Sequence, residues 1–225
     1  MATKFTKKEQ EYLEQYEQAL TNILSQHDVY LAMSNIGYGN NKVIEGRALL
    51  QKTMATHKNI LAINEKKKEA HKVFSALKAE MDGIYRVHRK KAKILFADEQ
   101  ETLVNLGIVG KTPQTYPEWI LVVDKFYTKA MGDSYIQDIL AELNTNREEL
   151  ENTSLVLEKM KTARAEHQLI TEQRQEATRE KNHTFERMNK WMSRFYAVAR
   201  IALAEQPQLL EAIGLTSSQK NNTEV

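Results

Sequence analysis

Cysteine is absent from this chain, and proline and glycine are scarce, at 3 and 8 of 225 residues. The lack of cysteine excludes disulfides, thiolate metal sites and cysteine nucleophiles. With so little proline and glycine, long stretches contain nothing that interrupts a helix. A dominant charge is also missing. The 32 Lys and Arg nearly balance 30 Asp and Glu, leaving a formal +2 that gives no general attraction to nucleic acid or to an anionic membrane. Long apolar runs are missing too: Trp119 to Val123 and Ile201 to Ala204 are far short of the roughly 20 residues that cross a bilayer. The opening Met-Ala-Thr-Lys-Phe-Thr-Lys-Lys-Glu-Gln has no apolar centre for a secretion signal, so residence in the cytoplasm is expected.

What is present is a 41% hydrophobic content, enough for a core, arranged in helical rhythm. Leu13, Tyr16, Leu20, Ile23, His27 and Leu31 recur three and four apart and predict a first helix, ended by Gly37-Tyr38-Gly39-Asn40-Asn41. A second runs from about Lys42 to Ala97, with Phe74, Leu77, Met81, Ile84, His88, Ala92 and Leu95 on one face. Only Gly46 and Gly83 resist helix inside it. Asp98 reads as the N-cap of a short helix over 99–106, closed by Gly107. After a linker containing Pro113, Pro117 suits the first turn of a third helix carrying Ile120, Val123, Tyr127, Met131, Tyr135, Ile139 and Leu143. Asn144-Thr145-Asn146 turns the chain into a fourth helix that ends in the stripe Thr184, Met188, Trp191, Phe195, Val198 and Ala202. Pro207 opens, and Gly214 closes, a second short helix.

A displacement of 107 positions, the separation of Gly107 and Gly214, superposes the two halves without a gap. Ala92-Lys93-Ile94-Leu95-Phe96-Ala97 falls on Ala199-Arg200-Ile201-Ala202-Leu203-Ala204, Leu103 on Leu210, Met81 on Met188 and Leu50 on Leu157. The expected fold is therefore all-α, an antiparallel helical bundle of two tandemly duplicated hairpins. The first repeat covers 1–108, a linker 109–116 and the second repeat 117–215, packed together as one four-helix-bundle domain, with a polar, disordered tail over 216–225. The long helices of about 55 residues would each reach ~80 Å. Their partners are half that length, so the long helices either kink or project, and projection favours a homodimer.

Few constellations carry chemistry. Glu180 and His183 match one half of a di-metal bundle site, but their counterparts under the displacement are Val73 and Ala76, so no metal is expected. Glu65, Glu69, Glu172 and Glu176 face outward and read as charge pairs on exposed helix. Lys67 and Arg174 are equivalent and lie near the core line, between Ile63 and Ala70 and between Ile170 and Ala177. They predict a polar waist that sets register or, more sharply, an anion site between the halves. Gly107-Ile108-Val109-Gly110-Lys111-Thr112 has the wrong spacing for a phosphate loop and follows a helix. The basic run Arg86 to Lys93 keeps a basic residue only at the last place of its duplicate, and nucleic-acid binding is not expected. Trp119, Phe126, Tyr127, Phe185, Trp191, Phe195 and Tyr196 read as core at corresponding helix ends. No catalytic set converges, and neither catalysis nor a cofactor is expected. These features point to a scaffold, assembly subunit or protein–protein interaction module, with self-association or a protein partner. The alternative is a bundle that binds a small ligand, an anion being one option, in a pocket between the two halves near Lys67 and Arg174.

Overall fold

The computed structural model describes residues 7–215. The tail expected over 216–225 lies outside the described residues. All regular structure among them is helical: α1 (Lys7–Ser25), α2 (His27–Asn35), α3 (Asn40–Leu95), α4 (Gln100–Asn105), α5 (Tyr116–Gly132), α6 (Ser134–Ala141), α7 (Arg147–Ala202) and a 3-10 helix (Pro207–Ile213). Among the described residues no helix is long and apolar enough to cross a membrane. The helices α3 and α7, 56 residues each, run uninterrupted, as their lack of proline allows.

Where single first and third helices are expected, the chain breaks each in two. Gln26 takes an extended conformation (φ −101, ψ 97) between α1 and α2, and Asp133 does the same (φ −128, ψ 115) between α5 and α6. Asp133 caps α6, its Oδ1 accepting from the backbone N–H of Tyr135 at 3.0 Å. One extended residue rotates all that follows it, so the apolar stripe changes register at each break. After the breaks His27, Leu31 and Tyr135, expected inside, are exposed, and Val29, Met33, Ile136 and Leu140 are buried instead; Met131, expected inside and just before the second break, is exposed as well. At the end of α7 the seam centres on Met192, Ala199 and Leu203, with Trp191, Val198 and Ala202 half-buried beside it. The cap of α4 is Glu99 rather than Asp98, one residue later than its sequence suggests.

The chain forms two compact units, each drawing one part from each long helix. In the first unit, residues 7–65 and 171–215, α1, α2 and the 3-10 helix pack with the first part of α3 and the last part of α7. Its core holds Leu20, Ile23, Val29, Met33, Met188 and Phe195. Thr56 meets Thr184 (3.2 Å between hydroxyls) and Asn64 meets Arg174, so the two segments run antiparallel. The second unit, residues 66–170, buries Met81, Tyr85, Phe96, Phe126, Tyr127 and Met160. His71 beside His167 and His88 beside Glu149 show the same antiparallel pairing there. Each large apolar side chain taken from water contributes roughly 1.5–3 kcal/mol, so these cores, more than helix propensity, hold the helices in place. The aromatic residues expected as core divide between the two units: Trp119, Phe126 and Tyr127 in the second, Phe185, Trp191, Phe195 and Tyr196 in the first.

Candidate functional site

Lys67 and Arg174 are both half-buried, and they belong to different units. In the first unit the Arg174 Nε donates to Asn64 Oδ1 at 2.9 Å. Within the second, Lys67 belongs to a cluster of nitrogen-bearing side chains with His71, Arg164 and His167. The two imidazoles lie 5.2 Å apart, and the Arg164 guanidinium stands over the rings of Phe74 (5.2 Å) and Tyr116 (5.1 Å). Burial, and then the nearby His71, Lys67 and Arg164, push the His167 pKa below the usual imidazole value.

In the basic run Arg86 to Lys93, Arg86 and Lys90 are exposed, while Arg89, Lys91 and Lys93 bond within their own unit. Arg89 donates to the carbonyls of Ile108 (3.1 Å) and Gly110 (2.6 Å), and Lys93 also reaches Gly110. Lys91 donates to Thr145 Oγ1 at 2.9 Å. These cations satisfy carbonyls in turns whose backbone has no helical partners, at Gly107 and Gly110 with φ of 71 and 75 and at Asn144 with φ of 54. The glycine-bearing segment 107–112 is thus a clamped turn.

Arg86 belongs to a polar cleft of about 350 Å³, where the linker residues Thr112 and Gln114 face α3 and the start of α5. Asp82 organises it, pairing with Arg86 and accepting from the Trp119 indole N–H at 3.1 Å. The Lys78 ammonium stands 4.3 Å from the centre of the Trp119 ring. Two cations against one carboxylate leave the cleft net positive, the charge a small anion requires.

The first unit has an open groove of different character, about 470 Å³, between α2 and the segment that leaves α7. Leu31, Ala32, Ile201 and Leu203 line it, with the carboxylates of Asp28 and Glu205 beside them. Ile201 is 71% exposed, although it belongs to an apolar run that the sequence places at a helix end. The register change at Gln26 leaves Leu31 on the surface, where it lines this groove.

Two buried polar features escaped sequence reasoning. The Lys181 ammonium, 6% exposed, pairs with Glu9 at 3.0 Å in the first unit. His88 lies buried in the second, its Nδ1 3.0 Å from the Tyr127 hydroxyl and its Nε2 3.5 Å from Glu149. Burial lowers the His88 pKa and raises that of Tyr127. A neutral imidazole protonated on Nε2 satisfies both neighbours, donating to Glu149 and accepting the tyrosine proton. Tyr127 is almost wholly enclosed, so this pair of hydrogen bonds fixes packing. The signal for it was His88 itself, a titratable residue on an apolar stripe.

Among the described residues no cluster of three or more His, Asp or Glu side chains is placed to hold a metal, and Glu180 and His183 are both exposed. Comparison with protein-family models, with curated proteins and with solved structures finds no match for this chain.

Proposed function

We propose that this chain is a duplicated helical hairpin that performs no catalysis and acts through its surface, as an interaction module or assembly subunit in the cytoplasm. Element ends support the duplication. Under the displacement of 107, α3 (Asn40–Leu95) falls on α7 (Arg147–Ala202) at both ends, and α2 begins opposite α6. Gly107 and Gly214 share left-handed backbone, with φ of 71 and 79. The observation that carries the functional reading is the open groove of the first unit, where Leu31 and Ile201 offer apolar surface beside two carboxylates.

The test compares the proteins retained by the wild-type chain with those retained by Leu31→Glu and Ile201→Glu, followed by reconstitution with the purified partner. Both positions are exposed, so the variants should keep their thermal stability and lose the partner. Identical retention by all three would sink the reading. A second reading, a small-anion binder, draws on Lys78 and Arg86 in the polar cleft. A co-purifying anion in native mass spectrometry that Lys78→Met abolishes would favour it.

A further inference from the structure

The two repeats treat one surface position differently, and the difference specifies an occupant. In the second unit Tyr135 opens α6, and its hydroxyl donates to Glu99 Oε1 at 2.7 Å while its ring lies 6.4 Å from Phe96. The side chain thereby straps the start of α6 to the segment that leaves α3. Under the displacement, Tyr135 corresponds to Asp28, Phe96 to Leu203 and Glu99 to Gln206. In the first unit those three residues line the open groove. Where one repeat lays its own phenol ring beside Phe96, the other presents Leu31, Ile201 and Leu203 with an acid at the strap's place.

We propose that the groove beside α2 receives a protein partner segment that supplies an aromatic side chain followed by a basic one. This inference deepens the surface-interaction reading and rests on it. The aromatic ring takes a place beside Leu203, as Tyr135 stands beside Phe96 in the second unit. A guanidinium or ammonium then meets the carboxylates of Asp28 and Glu205. The groove's volume of about 470 Å³ holds two side chains, not a folded domain. An acidic or wholly apolar segment would leave Asp28 and Glu205 desolvated without a counter-charge, which is unfavourable.

The experiment is an NMR titration of the full chain with two capped dipeptides, acetyl-Tyr-Arg-amide and acetyl-Tyr-Glu-amide, at low salt. The basic probe should shift the resonances of Leu31, Ala32 and Ile201, and the acidic probe should bind about fivefold more weakly, because it meets two like charges. Asp28→Asn should bring the two probes within about twofold of each other. The double variant Asp28→Tyr with Gln206→Glu rebuilds the strap of the second unit. It should fold with unchanged helix content and no longer respond to either probe. Equal binding of both probes to the wild type, or a strapped variant that binds as before, would overturn the proposal. Failure here leaves the broader reading standing, since that reading falls only if Leu31→Glu and Ile201→Glu retain every protein the wild type retains.

Discussion

Alanine at Gly83 and alanine at Gly46 add the same methyl group to the same helix, and they should move stability in opposite directions. Around Gly83 an added Cβ meets no heavy atom within 4 Å. There the substitution only removes backbone freedom from the unfolded chain and restores helix propensity, a stabilisation of about 0.5–1 kcal/mol. Gly46 offers the same gain in principle, but it is buried and its neighbour is the Trp191 indole. A Cβ there would lie 2.7 Å from Cζ3 and 2.8 Å from Cζ2. The ring has little freedom to retreat. It stacks on Phe195 at 5.5 Å with 15° between the planes, and its Nε1 donates to Glu45 at 3.1 Å. Displacing it forfeits an aromatic pair worth about 0.5–1.5 kcal/mol and a hydrogen bond worth about 1 kcal/mol. Gly46→Ala should therefore be net destabilising by about 1–2 kcal/mol, overpacking outweighing propensity. Urea denaturation followed by circular dichroism compares the two variants. Trp191 emission in a Trp119→Phe background adds a local report, since Trp119 and Trp191 are the only tryptophans. Introducing Trp191→Leu beside Gly46→Ala should abolish the penalty in a double-mutant cycle. A Gly46→Ala protein as stable as the wild type would refute the packing argument, and a destabilised Gly83→Ala would refute the entropic one.

The Lys181 ammonium is almost dry, so Lys181→Met should cost about 1–3 kcal/mol by removing its charged hydrogen bond to Glu9. Replacing both, Glu9→Tyr with Lys181→Phe, copies the edge-to-face pair of Tyr116 and Phe74 at the corresponding places of the second unit, 5.5 Å apart. That double variant should regain most of the loss in chemical denaturation, and one no more stable than Lys181→Met would show that the ion pair is not exchangeable. Acid should weaken the second unit through His88 and His167. Both have folded-state pKa values lowered chiefly by burial, so the unfolded chain takes up protons first as pH falls below the ordinary histidine value near ~6.5. Their stabilisation is complete above that value and declines below it until the folded-state imidazoles also protonate. Urea midpoints measured from pH 7.5 to 5 should fall, and His88→Gln should flatten the slope; a midpoint that is constant or rises on acidification contradicts the assignment.

Helix type and the reach of the long helices were legible in the sequence because they depend on local facts. A 56-residue segment without proline and with periodic apolar residues has few alternatives to helix. The outward direction of Glu65, Glu69, Glu172 and Glu176 followed from the same periodicity, and all four are exposed. The breaks at Gln26 and Asp133 were harder to see. Each is one extended residue in an otherwise helical pattern, and it is the burial of Val29, Met33, Ile136 and Leu140 that favours it. Asp133 held a readable cap signal, an acid directly after Gly132; Gln26 held none.

Helical character, the extent of the long helices to within about two residues, and the recurrence of side chains at an interval of 107 could all be read from the amino-acid order. Those properties rest on backbone propensity and on spacing along one chain, and they need no knowledge of a neighbour. Tertiary structure alone decided how the long helices divide between two cores, that Lys67 and Arg174 enter different units, and that the basic run clamps turns on its own unit. It alone gave Tyr135 and Asp28 their opposite roles at equivalent places, one a strap and the other part of an open groove. The physical reason is that burial, ion pairing and desolvation are properties of pairs of surfaces. Two residues distant in sequence acquire their chemistry only when packing brings a partner to them or leaves them open to one.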